Sequence, residues 1–319
     1  MRVLVAGAGA TGAVFGARLI EAGADVEFLA RPARAALLRE RGLAVRAPDW
    51  TFERRVNASS AAELGARYDV ALLAFKAYDL EEAVTSIARS LEGTAAVVPL
   101  LNGVAHYAWL DRALGAGRVA GGCCHLSASV AADGTVHQSS PYARIAFGAR
   151  PGAAPALADA LAALERELAG GPVQCVRSGA ILQEVWEKFA FLAALAALTC
   201  LMRSAVGDLM AAESGAALAE EMFDCCAAVA ASEGFAMREA PRHEYLNALT
   251  APGSSLTASM LRDLEDGRRL EAEPIVGDML RRARRAGQPA KLLEIAYAHL
   301  QARDARLARE QAARTIQAR

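Results

Sequence analysis

"RVLVAGAGATGAVFGARL", residues 2–19, decides how the rest of the chain is read. An apolar run of strand type enters G-x-G-x-x-G, with Gly7, Gly9 and Gly12 in the glycine slots and Ala10 and Thr11 between the last two. Residues 12–22 then show helical periodicity. Arg2 followed by apolar and small residues also mimics a signal peptide, but a secretory core has no reason for glycines at this spacing. A strand-to-helix turn does. The first glycine permits the tight turn, the second lets the backbone approach a pyrophosphate, and the third lets helix and strand pack closely. The N–H groups and dipole at the helix start then face the phosphates, so Gly7, Gly9, Ala10, Thr11 and Gly12 are expected to hold a dinucleotide.

Outward from this turn, strand-like and helix-like segments alternate. "DVEFLA" (25–30), "YDVALLAFKA" (68–77) and "AAVVPLLNG" (95–103) read as buried strands, and "RPARAALLRERG" (31–42) and "LEEAVTSIARSL" (80–91) as helices. That alternation predicts parallel pairing in an open, doubly wound sheet. Asp133-Gly134 marks a hairpin turn, and "ARIAFGA" (143–149) reads as one more strand. From about residue 178 the pattern is helical to the end, with breaks at "TAPGSS", "EDGRR" and "AGQPA". The expectation is an α/β fold: a Rossmann-type domain over 1–177 and an all-helical domain over 178–319.

Composition narrows the function. Apolar residues make up 54%, charged residues 22%, and the net charge is −1 with both signs interspersed. Such a chain offers no electrostatic footprint for nucleic acid or an acidic membrane surface. The tail "RDARLAREQAARTIQAR" mixes acids with its arginines and reads as a solvated helix. Six cysteines form no C-x-x-C pair and two of the pairs are vicinal, which suits reduced thiols in a cytoplasmic protein. The five histidines show no metal-ligand spacing, and no G-x-S-x-G elbow is present, so neither a metal centre nor a serine hydrolase is expected. In "KFAFLAALAALTCLM" (188–202) the uncharged run behind Lys188 is fourteen residues, short of the ~20 that a spanning helix needs. No membrane span is expected. Excess apolar surface on the helical half points to a homodimer.

The cofactor's identity turns on the end of the second strand. An NAD-type site places an acid there for the ribose 2′-hydroxyl. Here Ala30 takes that place and Arg31 follows, whose planar fork suits a 2′-phosphate. NADP(H) is the expected cofactor, and Glu27, in mid-strand, is discounted as a ribose ligand.

"GAGATG", Arg31, "FKAYDL" with Lys76, "LLNGV" with Asn102, "EVWEKF" with Lys188, and "SSLTASMLRDLEDGRRLEAE" with Ser259 and Glu271 occur in that order. Together they resemble the ketopantoate reductase family, NADP-dependent enzymes that reduce 2-dehydropantoate to pantoate. The glycine loop is shared with many dehydrogenases; the W-x-K helix and the Ser-to-Glu segment are far more specific. The resemblance implies that Arg31 and Lys76 lie near the adenosine 2′-phosphate and Asn102 near nicotinamide and substrate. It implies Lys188 as general acid, Ser259 as holder of the substrate carboxylate, and Glu271 as a catalytic group closing the site. The chemistry is sensible in its own right. Hydride addition develops negative charge on the carbonyl oxygen, which an ammonium stabilises and can protonate. Asp266-Gly267 should divide the last segment into two helical pieces, with Glu271 and Pro274 at the start of the second.

The chain also departs from the family pattern. Asparagines commonly follow the lysine at four and eight residues and again before "G-[ED]-L". Here those positions hold Leu192, Ala196 and Val206, while Thr199 and "GDL" (207–209) remain. Residues 188, 192 and 196 share one helical face. The expected substrate is therefore a small 2-oxo acid that is either ketopantoate or something more apolar. A non-catalytic NADP(H) sensor and a 3-hydroxy acid dehydrogenase stand as alternatives.

Overall fold

The computed structural model describes residues 1–65, 67–169 and 173–317, with side chains to residue 313. The chain forms two compact units: Met1–Leu101 with His106–Leu182, and Asn102–Ala105 with Gln183 onward. The division lies at Leu182/Gln183 rather than at 177/178, and a four-residue loop of the first stretch belongs to the second unit.

The first unit is built on five parallel strands. They are β1 (Arg2–Ala6), β2 (Asp25–Leu29), β5 (Asn57–Ser59), β6 (Val70–Leu73) and β7 (Ala96–Pro99), in the spatial order β5-β2-β1-β6-β7. Val3 pairs with Val26 on one side and Val70 on the other. β6 and β7 are buried along their whole length, the pattern of strands covered on both faces. Helices α1 (Ala10–Glu21), α2 (Pro32–Arg41), α3 (Leu80–Ile87), α4 (His106–Leu114) and α5 (Pro155–Leu168) complete the doubly wound layer structure.

A second sheet joins β3 (Leu43–Arg46), β4 (Thr51–Arg54), β8 (Gly121–Val130), β9 (Val136–Gly148) and β10 (Gln174–Arg177). β8 and β9 form the hairpin expected around Asp133-Gly134, with Gly134 at φ 92°. "ARIAFGA" is not a separate strand: it is the second half of β9, past a register shift opposite Leu126 and Ala128.

The second unit is helical: α6 (Ile181–Met202), α7 (Val206–Met210), α8 (Gly215–Ser232), α9 (Glu239–Leu249), α10 (Ser259–Glu265), α11 (Asp278–Arg285) and α12 (Lys291–Gln317). α6 has neither Gly nor Pro and runs until Arg203, whose φ of 53° ends it in a left-handed cap. The bond from the Ser204 N–H to the Thr199 carbonyl completes that cap. At 22 residues α6 is longer than its apolar run, so length does not separate it from a membrane span. Burial does: 72% of its most apolar stretch lies inside the protein, as for a core helix. Trp186 stacks on Phe235 at 5.7 Å and Phe191 on Tyr245 at 4.5 Å, anchoring α6 in this unit. The large apolar side chains left exposed among the described residues are Val130, Tyr142, Met202 and Ile295, shared between the two units.

Candidate functional site

Chemistry-bearing residues gather in each unit separately. In the first, Gly7 has φ 110° and lies against the Ala74 backbone, where a Cβ would come within 2.8 Å. A Cβ on Gly12 would sit 2.0 Å from the Gly7 carbonyl oxygen. Gly9 is the opposite case, with nothing within 4 Å of the space a Cβ would take. Turn and helix therefore close tightly on the sheet side while the outer side stays open to a ligand. Gly9 caps α1 without any side-chain bond to the first-turn N–H groups, so Ala10, Thr11 and Gly12 present backbone donors at the positive end of the helix. These residues fit a pyrophosphate.

The Gly7 N–H donates to the Leu29 carbonyl at 3.0 Å, and the Ala74 N–H to Ala6 at 2.8 Å. The carboxyl ends of β1, β2 and β6 thus meet where strand order reverses, the place where open α/β sheets take their ligands. Arg31 stands just beyond β2 with its side chain 81% exposed, and its Nη2 meets Asp79 Oδ2 at 3.0 Å. Lys76, half-buried, begins the short turn 77–79 beyond β6. Glu27 is committed elsewhere, accepting from Arg2, Ser59 and Tyr68. Two residues here escaped the sequence reading. One is Asp79, whose signal lay in "FKAYDL" but whose partner is 48 residues away. The other is Arg34, whose Nε donates to the Ala8 carbonyl of the glycine loop at 3.4 Å.

In the second unit, Lys188 Nζ donates to Asn102 Oδ1 at 3.4 Å. The two come from α6 and from the loop after β7, and both are half-buried. Gly103, at φ 83°, makes that loop possible, because a Cβ there would lie 2.8 Å from the Pro274 carbonyl. The same contact places Asn102 next to the segment that begins with Glu271. That residue is 5% exposed and immediately precedes the helical turn 272–277 leading into α11. Asp266-Gly267 separates α10 from that turn, with Gly267 at φ 68°.

Ser259 is the first residue of α10 and is exposed. Its position is set by Thr199, whose hydroxyl donates to the Leu195 carbonyl at 2.7 Å and accepts from the Ala258 N–H at 3.4 Å. "GDL" acts alongside. Gly207 packs on the backbone of Gly253 and Ser254, and Asp208 caps the Ala205 N–H at 3.0 Å. Leu192 is half-buried, whereas Ala196 and Val206 are each 1% exposed.

Beside Lys188, Glu187 is 2% exposed and accepts from the Arg238 N–H (2.9 Å), Nε (2.8 Å) and Nη2 (2.6 Å), and from Gln183 (3.0 Å). Burial pushes its carboxyl up, but these bonds outweigh burial and hold it below the usual range. None of the six cysteines is in a disulfide, and burial raises the thiols of Cys175 and Cys200 to about 12, which leaves those two inert. Among the described residues no cluster of three His, Cys, Asp or Glu side chains could hold a metal ion.

Two family models match the chain: ketopantoate reductase PanE/ApbA over residues 3–152, and its C-terminal counterpart over 180–304. The chain belongs to the ketopantoate reductase family. It is accordingly an oxidoreductase, and the resemblance read from "EVWEKF" and the Ser-to-Glu segment is borne out. The uncharacterized oxidoreductase YkpB of Bacillus subtilis is 32% identical over 301 residues, 94% of this chain and 98% of its own. A 2-dehydropantoate 2-reductase of Halobacterium salinarum is 28% identical over 288 residues, 89% of this chain and 92% of its own. A PanE/ApbA family ketopantoate reductase from Ralstonia eutropha JMP134 superposes with a TM-score of 0.83 at 25% identity, covering 97% of this chain and 100% of that one. D-mandelate dehydrogenase, solved with NADH and anilino(oxo)acetate, shares the fold with a TM-score of 0.86 at 18% identity over 97% and 100% of the chains.

Proposed function

We propose that this ketopantoate reductase family member reduces a 2-oxo acid to the 2-hydroxy acid with NADPH, Lys188 being the general acid. The observation that carries this reading is the 3.4 Å approach of Lys188 Nζ to Asn102 Oδ1 at the head of α6. An amide oxygen holds the ammonium where a polar oxygen is accommodated, so a substrate carbonyl in that neighbourhood would feel the positive charge as its own negative charge grows. A nicotinamide bound there would supply the hydride. Lys188 then gives a proton to the resulting oxygen, Asn102 orients the ammonium, Ser259 engages the acid end of the substrate, and Glu271 closes the site. Arg31 and Lys76 favour the 2′-phosphate of NADPH, with no acid at Ala30 to prefer NADH.

Substrate choice follows from the missing amides. Ala196 and Val206 are buried, which leaves Leu192 as the accessible departure and favours a 2-oxo acid more apolar than ketopantoate. A pocket that lacks the amide for a substrate hydroxyl discriminates weakly in its favour. The enzyme would work in the cytoplasm, as a homodimer, without nucleic acid or membrane. NADPH oxidation with ketopantoate, unhydroxylated branched 2-oxo acids and aryl 2-oxo acids tests this. Turnover highest with the unhydroxylated acids is expected. NADPH binding without turnover on any of them would overturn the reading in favour of a sensor.

A further inference from the structure

We propose that Asp79 is a cofactor-selecting residue: it supplies, from the loop beyond β6, the carboxylate missing at the end of β2, and so lets the site take NADH as well as NADPH. This rests on Arg31 being the 2′-phosphate ligand. The strand end that should carry a ribose acid carries Ala30, and Arg31 follows it. Across the crevice Asp79 Oδ2 lies 3.0 Å from Arg31 Nη2, and Asp79 is 27% exposed. A carboxylate at this place does two things. It accepts from a ribose 2′-hydroxyl while keeping its bond to Arg31, which favours NADH. It also repels a 2′-phosphate, and competes with it for the guanidinium, which disfavours NADPH.

The competition is winnable. An ion pair this exposed is weak, and a guanidinium offers five donors in a plane, of which Asp79 engages one nitrogen. Arg31 can therefore turn its fork to a phosphate when one arrives. Asp79 precedes α3 but makes no side-chain bond to its backbone, so its carboxylate is not a helix cap. Replacing it leaves the helix terminus as it was.

Dissociation constants for NADPH and NADH, measured by nicotinamide fluorescence on wild type, Asp79→Asn, Asp79→Ser and Arg31→Ala, decide the matter. Both Asp79 variants should raise the NADPH preference about tenfold, equivalent to about 1.4 kcal/mol, through tighter NADPH and weaker NADH binding, with unchanged melting temperatures. Arg31→Ala should lower the preference. A ratio within twofold of wild type in both Asp79 variants, while Arg31→Ala still responds, overturns the role of Asp79 alone. An unresponsive Arg31→Ala overturns the 2′-phosphate reading beneath it as well.

Discussion

Lys188→Met keeps the length and apolar stem of the side chain and removes its charge. Lys188 is half-buried and already brings Nζ to 3.4 Å from an oxygen. At about 4 Å and an effective permittivity of ~20, a full unit charge is stabilised by roughly 4 kcal/mol. An alkoxide that is half to fully developed in the transition state would lose about 2–4 kcal/mol, or roughly 30- to 1000-fold in kcat. The proton donor is lost with the charge, which sets the expected loss at the upper end, about 10²–10³. Lys188 is assigned to the substrate carbonyl and not to the cofactor's phosphates, so the dissociation constant for NADPH should stay within about twofold of wild type. Steady-state NADPH oxidation gives kcat, and fluorescence titration gives cofactor affinity. A kcat within tenfold of wild type would refute the general-acid role, as would a loss of cofactor affinity as large as the loss of kcat.

Gly9→Ala and Gly12→Ala should differ although both fill the same motif. The first meets nothing within 4 Å, so its melting temperature should hold while nicotinamide binding weakens at least tenfold. The second drives a methyl to 2.0 Å from the Gly7 carbonyl and should also cost about 1–3 kcal/mol in stability by denaturant unfolding. Leu192→Asn, at a half-buried position on the Lys188 face, should raise kcat/KM for ketopantoate relative to unhydroxylated 2-oxo acids by about tenfold, read in a competition assay. Glu187 sets a pH dependence. Its folded-state carboxyl lies below the unfolded value of ~4.3, so its contribution is complete above that value and is lost as pH falls through the folded value. Melting curves should show Glu187→Gln destabilised by about 2 kcal/mol near neutrality, with the gap to wild type closing on acidification.

The parallel sheet was legible because β1, β6 and β7 are buried on both faces and read as unbroken apolar runs, and because three glycines punctuate the first turn. β3, β4, β5 and β10 escaped because they are three or four residues long, and all but β5 carry charges such as Arg46 and Glu53. Their partners are set by register with distant strands, as where Val45 meets Val136. Among the candidate residues, the glycine loop and the helix bearing Lys188 could be placed from local pattern. The approach of Lys188 to Asn102 spans 86 residues of sequence, and nothing local encodes it. The same holds for Asp79, whose partner Arg31 lies 48 residues away in the sequence.

The loop from Asn102 to Ala105 is chain from the first unit on loan to the second. A gene cut at residue 183 would therefore make a helical fragment holding the ammonium but not the amide oxygen that faces it. During synthesis the loop emerges long before α6 and must wait, tethered at both ends, for its helix to be made. Splitting the chain into separately encoded halves would cost it the pairing of Lys188 with Asn102.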